Sequence, residues 1–244
     1  MNDINIMQDL VCGAFSLNIA LSPVQLEQFK TYLDDLLDWN RRINLTAITD
    51  YRETQLKHFV DSLSVTKAFH KPLPYACRFI DVGAGGGFPG LPLKIAFPQI
   101  QLTLLEATNK KCDFLRHITQ RLSLTGVDVL CARSEEAALM SEYREQFDIV
   151  LARGLAKMAA LSELTLPFCK VGGMLIAQKK EPVADELKAA AQAVTLLGGQ
   201  IAQVIPITLS ELNDNRCLVI VEKITRTPSP YPRRNGVPAK NPLG

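Results

Sequence analysis

Three absences narrow what this chain can be. It has no run of 18 apolar residues, which excludes a membrane-spanning helix. Its six cysteines, Cys12, Cys77, Cys112, Cys131, Cys169 and Cys217, include no Cys-x-x-Cys pair. Neither a zinc site nor a disulfide is therefore expected, and the thiols are predicted to be reduced core residues of a cytosolic protein. The start, Met1-Asn-Asp-Ile-Asn, lacks the basic residues of a signal peptide, which also points to the cytoplasm. No internal repeat or low-complexity segment precedes the C-terminal tail, and a monomer is expected.

What is present is 244 residues at 47% hydrophobic content, enough for one large core or one core with a small helical cap. The net charge of +2 conceals an asymmetry. Residues 223 to 244 hold five Lys or Arg and no acid, leaving 22 basic against 25 acidic residues over the rest. A mildly acidic body with a basic, proline-rich tail suits an anionic partner met at one end.

The most informative stretch is 78 to 93, Arg-Phe-Ile-Asp-Val-Gly-Ala-Gly-Gly-Gly-Phe-Pro-Gly-Leu-Pro-Leu. A β-prone run, Phe79 to Val82, stops at a cluster of glycines, and Pro89 and Pro92 flank a segment able to open a helix. Strand, glycine turn, helix places backbone N–H groups at the end of a buried strand, where a ligand can approach the main chain closely. Read from Gly85, the residues Gly85, Gly87 and Gly90 satisfy the dinucleotide pattern G-x-G-x-x-G. Read from Asp81, acid-x-Gly83-x-Gly85-x-Gly87 is the signature of S-adenosylmethionine (SAM) methyltransferases. An acid at the strand end suits a cationic amino acid moiety and repels a pyrophosphate. A tight turn with no ligand is the plain alternative.

Residues 101 to 106, Gln-Leu-Thr-Leu-Leu-Glu, form a second strand ending in an acid, 23 residues after Gly83. That is one βαβ step, and it brings Glu106 beside the glycine turn to accept hydrogen bonds from ribose hydroxyls. NAD and SAM both carry such a ribose, so Glu106 supports a nucleoside without choosing between them.

The rest of the chain keeps a regular beat. A helix is predicted over 3–15, and a firmer one opens at Ser22-Pro23-Val24-Gln25, a capping box with Leu26, Phe29, Leu33, Leu36 and Leu37 as its apolar stripe. After the loop Asn44-Leu-Thr-Ala-Ile-Thr, a helix over 53–67 turns Leu56, Phe59, Val60 and Leu63 inward. His58 and Asp61 on it have no further ligand spaced for a metal and read as a helix face over the cofactor side. Strands are predicted over 78–82, 101–106, 127–131, 147–151, 173–178, 201–207 and 217–223, with helices over 90–97, 110–123, 156–168 and 183–197. The 110–123 helix is expected to stop at Gly126. Such alternation gives an α/β, doubly wound parallel sheet of seven strands. The link Leu209 to Arg216 is too short for a helical crossover, so the last strand should return antiparallel.

Four segments together, Asp81-Val-Gly-Ala-Gly-Gly-Gly-Phe-Pro-Gly, Leu105-Glu-Ala-Thr-x-Lys-Lys, Ala132-Arg-Ser-Glu-Glu and Ala152-Arg-Gly-Leu-Ala, resemble the bacterial ribosomal RNA small subunit methyltransferase G family, also called glucose-inhibited division protein B. The likeness runs from Asn44 to the final Pro-Leu. It implies a class I, Rossmann-like SAM-dependent methyltransferase with a helical cap over 1–70, a SAM-binding domain over 71–225 and a basic tail over 226–244. It implies methyl transfer from SAM, leaving S-adenosylhomocysteine, to N7 of a guanine in 16S ribosomal RNA, free or in the small subunit particle.

In doubly wound sheets a ligand lies at the carboxyl ends of the strands. That rule picks Gly83 to Phe88, Glu106, Ala107, Thr108, Ser134, Glu135 and Arg153. The resemblance implies the same residues as SAM contacts: Gly83 and Phe88 lining the turn, Glu106 to Thr108 on the ribose and adenine edge, Ser134 and Glu135 over the adenine. Arg153 falls at the methionine end, facing the substrate. Transfer from a sulfonium to a nitrogen with a free lone pair demands alignment and water exclusion, and no general base. None is set out, Cys169 stands in Pro167-Phe-Cys and not in a Pro-Cys context, and the Asn/Asp-Pro-Pro-aromatic motif is absent. Arg133, Arg153, Lys179, Lys180 and Arg216 fall at strand ends on one rim, where they suit phosphates. Lys179-Lys180 stands where the family has Lys-Gly. A non-catalytic nucleotide-binding regulator and an NAD-dependent oxidoreductase are the alternatives.

The tail from Thr227 has five prolines, one aromatic and three basic residues, with no helical or strand period. Composition alone favours a disordered end. Tyr231, Arg233 and Arg234 offer a stacking ring and two phosphate forks for RNA. Deleting the tail is expected to weaken RNA binding and leave SAM affinity intact.

Overall fold

A computed structural model describes residues 7–69, 77–208 and 215–244. The N-terminal third is helical because its apolar residues recur at helical spacing and its ends are capped. Helix α1 (Gln8–Ser16) leads to α2 (Pro23–Asn40). The capping box is made as expected: the Gln25 amide N–H donates to Ser22 Oγ at 3.3 Å, and the Ser22 N–H donates to Gln25 Oε1 at 2.8 Å. Gln25 Nε2 also donates to the carbonyls of Ile95 and Ala96, tying α2 to a later helix end.

The single helix expected over 53–67 is a composite. It opens as α3 (Tyr51–Thr54), widens into a π-helical turn over Gln55–Val60, resumes as α4 (Asp61–Leu63) and tightens into a 3₁₀ turn over Ser64–Ala68. Such π-turns rotate the side chains that follow by an extra residue and cluster at functional sites.

The remainder alternates strands and helices: β1 (Arg78–Val82), α5 (Gly90–Ala96), β2 (Gln101–Glu106), α6 (Asn109–Arg121), β3 (Val127–Cys131), α7 (Ser134–Ala137), β4 (Phe147–Arg153), α8 (Met158–Thr165), β5 (Cys169–Lys180), α9 (Ala184–Leu196), β6 (Gly199–Ile207), β7 (Arg216–Lys223) and α10 (Val237–Lys240). The strand order is β3-β2-β1-β4-β5-β7-β6. Order reverses between β1 and β4, so the crevice above their carboxyl ends is the expected ligand position. Strand β7 runs antiparallel to both neighbours, as the short preceding link required, and it lies between β5 and β6. Most of that link, residues 209–214, lies outside the described residues.

Alternation along the strands sends apolar residues to two clusters, one on each face. Phe79 joins α1, α2, α5 and α6 residues in one, while Ile80 and Val82 join α8 and α9 residues in the other. Among the described residues no helix is long and apolar enough to cross a membrane.

Three expectations are corrected. Helix α6 ends at Arg121, and Ser123 takes the left-handed conformation (φ 53°) that the sequence assigned to Gly126, whose own φ of 67° opens β3. Strand β5 continues through Lys179 and Lys180, which pair with Cys217 and Arg216, so the turn expected there comes later, at Glu181-Pro182. The cysteines are not all reduced thiols: Cys112 and Cys131 form a disulfide between α6 and β3, their Cα atoms 5.9 Å apart. Packing of α6 on β3 brings the pair within bridging range, which no Cys-x-x-Cys spacing announces.

Candidate active site

The glycine turn carries φ values of 74°, 58° and 96° at Gly83, Gly85 and Gly87, a region that disfavours any side chain. A Cβ on Gly83 would meet Leu155 Cδ1 at 2.7 Å, and one on Gly87 would meet Leu91 Cδ1 at 2.5 Å, so these two permit close packing. A Cβ on Gly85 would find nothing nearer than 3.8 Å. The space above Gly85 is open, and the protein does not fill it.

Asp81, at the end of β1, is fully buried. Its Oδ2 accepts from the Gly90 N–H at 2.8 Å, while its Oδ1 has no partner among the described residues. Burial pushes the carboxyl up to about 7; the Gly90 amide and the Arg153 charge work against that shift, and Glu106 adds to it. Glu106 bridges the two strand-end turns: Oε2 accepts from the Gly85 N–H at 3.0 Å and Oε1 from the Thr108 N–H at 2.8 Å. Ala107 and Thr108 are exposed at the mouth, and Thr108 precedes α6. Ser134 and Glu135 lie on the one-turn helix α7, with Ser134 Oγ donating to the Leu164 carbonyl.

The orphaned, buried Asp81 Oδ1 and the Glu106 carboxylate held on the Gly85 amide fit a ligand with an ammonium and a ribose. SAM has both, so Asp81, Gly83 to Phe88, and Glu106 to Thr108 suit it.

Beside that crevice lies a polar cluster that the sequence indicated only in part. Arg153, at the end of β4, donates from Nη1 to Asp61 Oδ2 at 2.9 Å and to the Lys57 carbonyl at 3.2 Å. Arg216 Nη1 donates to the same Asp61 Oδ2 at 2.8 Å. Asp61 is 1% exposed, so one carboxylate pairs with two guanidinium groups in a nearly dry site. Arg153 Nη2 faces His58 Nδ1 at 3.0 Å, and His58 Nε2 lies 2.6 Å from Thr46 Oγ1. Guanidinium can only donate, so Nδ1 is the acceptor and the proton sits on Nε2. Burial and the Arg153 charge hold His58 down to about 3, a neutral ring at physiological pH. That ring stacks on Phe88 at 4.4 Å, and the Arg153 guanidinium sits 4.9 Å from the same ring centroid.

Arg153, Lys179, Lys180 and Arg216 line one cleft of about 380 Å³ together with Lys57 and His58. Four of the five rim cations expected from the sequence therefore meet. Arg133, the fifth, is exposed just before α7 and is not on this cleft. Lys179 is also held by Glu186 at 2.5 Å. Cys169 is buried and its thiol pushed up to about 12, which keeps it protonated.

The tail is ordered against the body, where composition alone favoured a disordered end. Arg144 donates to the carbonyls of Thr227, Pro228 and Tyr231, and Pro232 and Pro238 are buried. Arg233, expected to meet phosphate, donates through both Nε and Nη2 to Glu163, whose side chain is fully buried. Its fork is engaged because α8 presents a carboxylate that would otherwise be unpaired. Arg234 is exposed, and Tyr231 is half-buried against the α8–α9 side.

His58 and Asp61 are the residues sequence reasoning undervalued. The available signal was an acid three residues after a histidine on one helix.

Residues 25–214 match the family model for rRNA small subunit methyltransferase G. Proteins named ribosomal RNA small subunit methyltransferase G from Dehalococcoides mccartyi and Limosilactobacillus fermentum are 52% and 48% identical to the chain. The alignments cover 97% and 92% of this chain and 100% and 93% of the relatives. Among solved structures, a SAM-dependent methyltransferase from Aquifex aeolicus aligns with TM-score 0.51 at 16% identity, covering 70% of this chain and 93% of that one. A MtNAS mutant in complex with S-adenosylmethionine aligns with TM-score 0.53 at 15% identity, covering 83% and 77%. These two show the fold alone. The match over 190 residues and the full-length relatives place the chain in the rRNA small subunit methyltransferase G family.

Proposed function

We propose that this chain methylates N7 of a guanine in small-subunit ribosomal RNA, with SAM as donor, working as a monomer in the cytoplasm. Asp81 Oδ1 takes the ammonium of the amino acid moiety, Glu106 the ribose hydroxyls, and Ala107, Thr108, Ser134 and Glu135 the adenine edge. Bound SAM supplies a methyl group already electrophilic on its sulfonium.

The observation that carries the N7 reading is the state of His58. Its Nδ1 lone pair is occupied by Arg153 and its Nε2 proton faces Thr46, so it can take no proton from a substrate. An exocyclic amine or a hydroxyl would have to shed a proton during transfer; N7 has a free lone pair and sheds none. The residues therefore bind and align. Arg153 is held at the cleft by Asp61, the Lys57 carbonyl and His58, and with Lys57, Lys179, Lys180 and Arg216 it draws the phosphate backbone and orients the base. The test is methyl transfer from labelled SAM to small-subunit particles and to naked RNA, with mass mapping of the product. 7-Methylguanosine is expected; a methylated exocyclic amine or ribose would overturn the assignment. Arg153→Ala is expected to cut turnover at least 100-fold, with SAM affinity within about threefold of wild type. A defect mainly in SAM binding would reverse the role given to Arg153.

A further inference from the structure

Helix α7 holds Ser134 and Glu135 in a single turn of four residues, far below the length at which a helix supports itself in water. Something outside it must fix its position. Ser134 Oγ supplies one tether, to the Leu164 carbonyl. Ala137, fully buried in the core, adds a second, and two further tethers come from the C-terminal tail. The Gly236 N–H donates to Glu135 Oε1 at 2.8 Å, and Asn235 Nδ2 donates to Glu136 Oε1 at 2.6 Å. Gly236 adopts φ 76° at this point, which lets its N–H face the carboxylate.

The tail is itself held at both sides of that contact. Upstream, Thr227 Oγ1 donates to the Leu197 carbonyl, the Thr227 N–H donates to Glu145, and Arg233 is clamped on Glu163. Downstream, the turn of α10 packs on α8, and Arg233 Nη2 donates to the Asn241 carbonyl. The tail thus forms a strap anchored on α8 and the β4 side, with Asn235 and Gly236 gripping α7 between the anchors.

We propose that this strap is a positioning element for cofactor binding: Asn235 and Gly236 set the place of Ser134 and Glu135 over the adenine. The proposal rests on reading those two residues as adenine contacts. It replaces the expectation that tail deletion spares SAM affinity. Arg234 and Lys240 are exposed and remain available to RNA, so the two roles fall on different residues.

The test keeps the upstream anchors and removes the grip. A chain ending after Arg234 retains the Arg144 and Arg233–Glu163 contacts and loses Asn235, Gly236 and α10. Calorimetric titration with SAM and with S-adenosylhomocysteine is expected to show affinity for both reduced about tenfold, the effect of losing two charge-assisted hydrogen bonds in part. KM for SAM should rise with it, and kcat at saturating SAM should stay within twofold. Asn235→Ala, which leaves the backbone intact, should show a smaller loss in the same direction. Asn235→Gln, which can still donate, should regain part of it. Affinity within twofold of wild type in both the truncation and Asn235→Ala would overturn the proposal, as would an unchanged KM with a fallen kcat. Gly85→Ala separates this from the wider reading. If Gly85→Ala loses SAM and the truncation does not, only the strap's role falls; if neither loses SAM, the cofactor site itself has been misplaced.

Discussion

Asp61 is the residue whose removal discriminates most between a built site and a chance cluster of charges. At 1% exposure it pairs Arg153 and Arg216, themselves 16% and 14% exposed. Breaking a buried ion pair from one side costs about 3–5 kcal/mol, because the partner charge is left uncompensated. Here two cations lose the carboxylate they share, which pushes the figure up. Both retain some access to water, and Arg153 keeps the Lys57 carbonyl and His58, which pushes it down. The expected loss for Asp61→Ala is therefore at the lower end, about 3 kcal/mol. For a chain of this size that corresponds to a fall in Tm of about 6–12 °C. Urea unfolding should give the same loss through the midpoint with an unchanged slope. The functional signature differs from simple destabilisation. Losing one negative charge beside the cleft should tighten RNA binding at low salt, while turnover falls because Arg153 has lost its anchor. A Tm within 1 °C of wild type would refute the energetic argument. Weaker RNA binding in a folded variant would refute the electrostatic one.

Asp81 has a folded pKa of about 7 against an ordinary 3.8, so its protonated form stabilises the ligand-free fold. That contribution is full below the ordinary value and is lost as pH rises through about 7; the difference in stability between Asp81→Asn and wild type should grow over the same window, read by Tm at several pH values. SAM, bringing an ammonium, should select the ionised form, so its affinity in wild type should fall as pH drops below about 7 and stay flat in Asp81→Asn; parallel profiles would sink that role. Gly85→Ala should stay folded, at a cost of about 1–2 kcal/mol for the left-handed backbone, and lose SAM, because its methyl enters only the open space above the turn. Protein purified without reductant and then denatured should titrate four free thiols, Cys12, Cys77, Cys169 and Cys217; six would refute the pairing of Cys112 with Cys131.

What the sequence disclosed and what it hid follow from the range of the interactions. Asp81, the glycines and Glu106 were legible because one strand, one turn and one βαβ step lie between them, and local spacing settles their meeting. Seven strands and an antiparallel last one were legible for the same reason, since link length alone decides the direction of β7. The place of β7 inside the sheet was not, because nothing local chooses between edges. Arg153, the partner that His58 and Asp61 share, lies 95 and 92 residues away from them, and Arg216 is 155 residues from Asp61. They meet only because a π-turn ends at Val60 and turns Asp61 toward the tips of β4 and β7. No helical periodicity announces that extra residue.

The tail shows the limit of reading composition. Prolines and arginines without period describe an unstructured segment equally well as a strap whose backbone donors and carbonyls are satisfied by other side chains. The deciding partners are Glu163, which is buried on α8 and needs a cation, and Arg144, which needs carbonyls. Neither need is visible at Arg233 or Thr227. An acid inside a largely apolar helix such as Met158–Thr165 is the place to look, since a buried carboxylate obliges some other part of the chain to come to it.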